Sequence, residues 1–117
     1  MIEKRAIPRF KVPIKLEYQR PDKKEKYSSL TLDISMKGLR LQAQEVLRKD
    51  EILDLFFYFP NKPPQEAVGK VLWSENFSTY FQAGLCFLSI KDSLKEDIFE
   101  YILKYFPQEI QKQWWGS

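Results

Sequence analysis

Phe10, Val12, Ile14, Leu16 and Tyr18 alternate with Lys11, Pro13, Lys15, Glu17 and Gln19. A period of two predicts a strand with one buried face, and Pro13, on the outward phase, predicts an edge or a bulge in it. After the polar turn Arg20–Lys26 the alternation resumes at Leu30, Leu32 and Ile34, then at Leu39, Leu41 and Ala43. These are strands two and three, joined by the short connection from Ser35 to Gly38. The apolar run Leu53–Phe59 ends at Pro60, and Asn61-Lys62-Pro63-Pro64 is a turn signal before a fifth strand over Ala67–Trp73; Tyr80–Ile90 makes a sixth.

The period changes at Asp92. Leu94, Ile98, Phe99, Ile102, Leu103 and Phe106 recur at helical spacing, Ser93 with Glu96 reads as a capping box, and Pro107 closes the segment, predicting one amphipathic helix over 93–106. Ile110, Trp114 and Trp115 then predict either a short second helix capped by Gly116 or a cover over an exposed barrel face. The expected fold is mainly β: a six-stranded antiparallel β-barrel with a C-terminal α-helix. A single domain is expected over 1–117, with a flexible segment at 1–9, the barrel at 10–90, the helix at 93–106 and a tail at 107–117.

Composition narrows the chemistry. With 117 residues, 44% of them hydrophobic and 15% aromatic, the chain can fill a core without disulfides. It has no His, which removes the commonest general base and metal ligand, so a zinc site, a Ser-His-Asp triad or a Cys-His pair is not expected. Cys86, the single cysteine, lies in the apolar run Ala83–Leu88 and is expected to be a buried, inert thiol. Met1–Phe10 holds no apolar stretch of signal-peptide length, and Leu55–Phe59 is too short to cross a bilayer, so a soluble, cytoplasmic chain without membrane insertion is expected. The net charge of +3 divides unevenly, +6 over residues 1–40 and −3 over the remainder, which directs an anionic partner to the first third.

Two short patterns fall in that basic third: Arg5-Ala6-Ile7-Pro8-Arg9, an RxxxR before strand one, and Asp33-Ile34-Ser35-Met36-Lys37-Gly38, a DxSxxG across the connection between strands two and three. Each alone has a plain reading. The arginines would be a solvated basic tail; the second pattern would be a turn, with Asp33 accepting backbone N–H groups and Gly38 supplying a positive φ. Together and in this order they are expected in under about one random chain in a hundred.

The pair resembles the signature of the PilZ domain family, receptors for the bacterial second messenger cyclic di-GMP. Val71-Leu72-Trp73, Ala83-Gly84-Leu85-Cys86-Phe87 and the closing helix extend the resemblance across residues 3–106. It implies that Arg5, Arg9, Asp33, Ser35 and Gly38 bind the ligand, with Lys4 and Lys37 as additional candidates. Lys37 stands where many members have a second Gly, which stiffens the turn, and Lys4 stands where an Arg is frequent, at a position that influences ligand stoichiometry in the family, so the resemblance leaves open one bound ligand or an intercalated pair; a homodimer is a further possible partner. The chemistry agrees: guanidinium forks onto phosphate and guanine O6/N7 and stacks on purine faces, while an ionised Asp accepts guanine N1–H and N2–H2. The implied mechanism is a ligand-ordered N-terminal segment read by an unidentified effector protein, with no catalysis and no cofactor. Two alternatives remain: a PilZ-like adaptor that does not bind the nucleotide, and a barrel that binds single-stranded nucleic acid, with Phe10, Tyr18 and Tyr27 as stacking platforms. A nucleic-acid polymer is the less expected partner, because Phe10 and Tyr18 follow the inward phase.

Overall fold

A computed structural model describes residues 7–112. Expectations placed on Lys4, Arg5, Trp114, Trp115 and Gly116 lie outside the described residues.

The strands are β1 (Lys15–Gln19), β2 (Lys26–Ile34), β3 (Gly38–Ala43), β4 (Ile52–Phe57), β5 (Gln65–Phe77) and β6 (Tyr80–Ile90). They close a barrel in the order β1-β2-β3-β6-β5-β4, and every neighbouring pair is antiparallel. Helix α1 (Asp92–Tyr105) and the five-residue α2 (Pro107–Gln111) follow. The core gathers Leu16 and Tyr18 of β1, Leu53, Leu55 and Phe57 of β4, and Leu94, Ile98 and Ile102 of α1, all fully buried. The mainly β barrel with a C-terminal helix is therefore the architecture.

The N-terminal alternation is right in phase and wrong in extent. Phe10, Val12, Ile14, Leu16 and Tyr18 are all buried, yet the strand starts only at Lys15. Pro13 offers no N–H, so residues 10–14 form a strap alongside β2 instead of a ladder. Thr31 holds it: its hydroxyl accepts the Ile14 N–H at 2.7 Å and donates to the Val12 carbonyl at 2.5 Å. Phe10 pairs with Ile34 in an isolated bridge, and the Lys11 N–H reaches across to Glu109 of α2.

Three leucines do not follow the simple alternation. The register shifts between Thr31 and Asp33, between Val71 and Trp73, and between Val68 and Gly69, where Leu32, Leu72 and Leu88 are the extra residues. A bulge flips the phase of the residues beyond it. Leu30 consequently faces outward at 44% exposure while Thr31 and Ile34 face the core, which corrects the reading of Leu30, Leu32 and Ile34 as one buried face.

The other corrections are local. β5 runs to Phe77 instead of ending at Trp73, because Glu75, Asn76 and Phe77 continue to pair with β6 in a hairpin arm. β4 stops at Phe57, although Phe59 is still buried. The capping box does not form: Lys91 occupies the N-cap without a side-chain bond, and the Ser93 hydroxyl donates to Gln65 Oε1 at 3.2 Å. Phe99 and Leu103, periodic with the core residues of α1, remain exposed.

Candidate functional site

The bridge between Phe10 and Ile34 decides what meets what. Both side chains point into the barrel, so by alternation Arg9 and Asp33, each one residue earlier, lie on the outer side of the wall. The bulge at Leu32 pairs Asp33 with Arg40 of β3, and the Arg40 Nε donates to Asp33 Oδ2 at 3.0 Å. The Arg9 Nε lies 3.8 Å from Oδ1. The Asp33 side chain is only 3% exposed, and its Oδ1 has no hydrogen-bond partner among the described residues. A desolvated carboxylate oxygen left without a donor is unfavourable by about 1–3 kcal/mol or more.

The connection from Ser35 to Gly38 is a tight turn. The Ser35 N–H donates to the Gly38 carbonyl at 2.8 Å, and the Ser35 hydroxyl accepts from the Lys37 N–H at 3.1 Å and the Gly38 N–H at 3.3 Å. Ser35 therefore shapes the turn with its side chain. Among the described residues no glycine has positive φ, which corrects the reading of Gly38 as a left-handed position. Gly38 is required by a close approach: a Cβ there would lie 2.2 Å from the Leu85 carbonyl oxygen and 3.1 Å from the Cys86 Cα of β6. The reading of Asp33 as an acceptor of backbone N–H groups is replaced by the Arg40 pairing.

Arg9, Ser35, Lys37, Arg40, Trp73 and Cys86 border an open cleft of about 210 Å³. The Trp73 indole lies over Gly84, where a Cβ would meet Nε1 at 2.3 Å, so Gly84 is the seat of the ring. Cys86 is half-buried in this wall and is not the fully buried thiol expected from its apolar run. Lys37 is exposed at the rim. The structure thus brings Arg9, Ser35, Lys37 and Gly38 to one cleft, with Asp33 buried against two of its lining residues, Arg9 and Arg40, and it adds Arg40, Trp73, Gly84 and Cys86, which neither short pattern contains. A larger, apolar groove of about 510 Å³ lies between Pro8, Phe10 and Met36 on one side and Lys95, Glu96 and Phe99 of α1 on the other. It has one lysine against two acids and no arginine, so it is the poorer fit for an anion.

The PilZ domain family model matches residues 3–104. The chain belongs to the PilZ domain family. Solved structures share its fold. The PilZ domain of Escherichia coli YcgR, solved with c-di-GMP, superposes with a TM-score of 0.70 at 9% identity, over 95% of this chain and 98% of that one. Bacillus subtilis MotI/DgrA, an inhibitor of motility, gives 0.69 at 15% identity over 88% and 51%. The K. pneumonia MrkH complex with c-di-GMP gives 0.66 at 17% identity over 100% and 56%. The chain spans about half the length of MotI/DgrA and MrkH. No curated protein matches the sequence.

Within this PilZ barrel the described residues include no group of three or more His, Cys, Asp or Glu side chains placed to hold a metal, and no helix long and apolar enough to cross a membrane. Arg40 could have been suspected from its position two residues after Gly38, but its partner depends on a bulge that one sequence does not announce. Phe10 and Tyr18, at 5% and 0% exposure, are core residues and offer no stacking surface to a nucleic-acid strand.

Proposed function

We propose that this PilZ chain is a receptor for cyclic di-GMP, bound at the cleft between the strap and the β2–β3 turn. The observation that carries the reading is the buried, half-satisfied Asp33, whose Oδ1 waits for a donor beside two guanidinium groups. Guanine supplies such donors at N1–H and N2–H2. The two phosphates of the ligand suit Arg9 and, from the segment outside the described residues, Arg5; Lys37 at the rim and Lys4 add positive charge. Trp73 offers an aromatic face for a purine. Ser35 and Gly38 hold the turn that presents the backbone to the ligand.

The role is that of a switch, without catalysis or cofactor. A ligand that draws Arg5 and Arg9 toward Asp33 repositions residues 5–9, and Pro8 and Met36, from the two motif segments, form a wall of the apolar groove against α1. Binding therefore changes a surface that a partner protein can read. MrkH and YcgR were solved with c-di-GMP, which supports the same ligand class here.

Calorimetric titration with cyclic di-GMP tests the reading, with linear dinucleotide as the control. Saturable heat that is lost in both Arg9→Ala and Asp33→Ala is expected, and the stoichiometry separates a single ligand from an intercalated pair. No heat from folded protein would reject the receptor and leave the ligand-independent adaptor.

A further inference from the structure

Arg40 is more than a neighbour of Asp33. Its Nε donates to Asp33 Oδ2 at 3.0 Å while its Nη1 donates to Gln82 Oε1 at 3.4 Å, and Gln82 Nε2 in turn donates to the Tyr80 hydroxyl at 3.1 Å. The chain of bonds runs from β2 through β3 to the start of β6: Asp33 and Arg40 face each other in the β2–β3 pairing, Gln82 lies two residues from Gly84, the β6 partner of Arg40, and Tyr80 follows along the same strand. Gln82 is 9% exposed, so its amide is held in place by burial as well as by bonding. Asp33 has two carboxylate oxygens, and this chain of bonds occupies one of them and leaves the other buried without a hydrogen bond, 3.8 Å from the Arg9 Nε.

We propose that Arg40 is a positioning residue that sets the base selectivity of the cleft, clamping Asp33 Oδ2 so that Oδ1 alone meets the ligand, with Gln82 and Tyr80 holding Arg40 in that role. The inference rests on the receptor reading and specifies how it discriminates. A carboxylate free to turn about its Cβ–Cγ bond can accommodate a misplaced donor or hydrate itself. A clamped one presents a single acceptor in one direction. Guanine meets it with N–H donors at N1 and N2, whereas adenine brings an acceptor at N1, which faces a fixed negative oxygen without a proton between them. The cost of that mismatch depends on the clamp, because only a fixed acceptor cannot move away from it.

The test titrates the purified full chain with cyclic di-GMP and cyclic di-AMP, using the wild type, Arg40→Ala, Arg40→Lys, Gln82→Leu, Asp33→Asn and the Asp33→Asn/Arg40→Ala double variant. Arg40→Ala is expected to lower cyclic di-GMP affinity by about tenfold to a hundredfold and to narrow the preference over cyclic di-AMP. Arg40→Lys, which reaches only one oxygen with a single ammonium, restores part of that preference, and Gln82→Leu gives a smaller loss of the same kind. The double variant is expected to bind no more weakly than Asp33→Asn, since Arg40 acts through Asp33. Additive losses in the double variant would make Arg40 an independent ligand contact and overturn the clamp. An unchanged preference in Arg40→Ala and Gln82→Leu would overturn it as well, with the receptor reading intact. Absence of binding by the wild type would remove the receptor reading itself. Should Arg40→Ala fail to fold, Arg40→Lys and Gln82→Leu decide the matter.

Discussion

Two buried carboxylates flank the N-terminal strap, and they are finished differently. Glu109, 8% exposed, accepts the Lys11 N–H at 2.9 Å on one oxygen and the Lys112 ammonium at 2.8 Å on the other. Burial alone would raise its pKa; the donors from Lys112 and from the Lys11 backbone outweigh that and hold it below its ordinary value. Asp33, 2% exposed, has one oxygen bonded to Arg40 and the other without a hydrogen bond, near the Arg9 guanidinium. Similar side chains at similar depth thus serve opposite ends. The chain completes Glu109 from its own atoms and gains a fixed anchor at Lys11, while two residues away, beside Arg9, it leaves one oxygen of Asp33 without a hydrogen bond.

The comparison can be broken by substitution. Asp33→Ala carries the largest expected effect: a loss of cyclic di-GMP affinity exceeding about a hundredfold, with the denaturation midpoint changed little, because removal of an unsatisfied buried acceptor offsets the loss of the Arg40 bond. Calorimetry and urea unfolding on the same sample read both quantities, and a large fall in stability would place Asp33 in the same class as Glu109. Gly38→Ala should destabilise the fold by about 2–3 kcal/mol, since the new Cβ meets the backbone of β6 and not a yielding side chain. A neutral result in urea would show that the turn yields at this position. Glu109→Ala is the mirror of Asp33→Ala: a loss of about 1–2 kcal/mol in stability from the orphaned Lys11 N–H, with ligand affinity changed less than twofold per mole of folded protein.

The smallest expected effect is the acid response of the anchor. Glu109 has its folded-state value depressed below the ordinary 4.5, so its contribution is complete above that pH and is lost as the pH falls through the folded value. Stability of the wild type measured from pH 6 to 3 should therefore fall more steeply than that of Glu109→Gln. Parallel curves would show that the carboxylate charge is not what fastens the strap.

Much of this molecule was legible in advance wherever a side chain's direction depends only on its neighbours in sequence. The inward set from Phe10 to Tyr18, the bounds of β6 and the buried stripe Leu94, Ile98 and Ile102 all obey local periodicity. The bulges at Leu32, Leu72 and Leu88 were illegible because leucine reads as buried at any phase, and only cross-strand register reveals the extra residue. The candidate site divides along the same line. Its motif residues could be named, but the Arg40 pairing, the seat of Trp73 on Gly84, the half-buried Cys86 and the collision that requires Gly38 all arise between strands distant in sequence. Ser93 shows the converse: the local capping signal was present, and a tertiary contact with Gln65 took the hydroxyl instead.

The bond from Lys11 to Glu109 spans 98 residues. Loop closure over such a separation is entropically late, so strand pairing and the seating of α1 should precede it during folding. On the ribosome this bond must wait until α2 has been synthesised, whereas Thr31 can already hold the strap at Val12 and Ile14. Refolding should therefore end in a slow step felt by the N-terminal strap, and a chain truncated before α2 should complete its barrel while lacking that step.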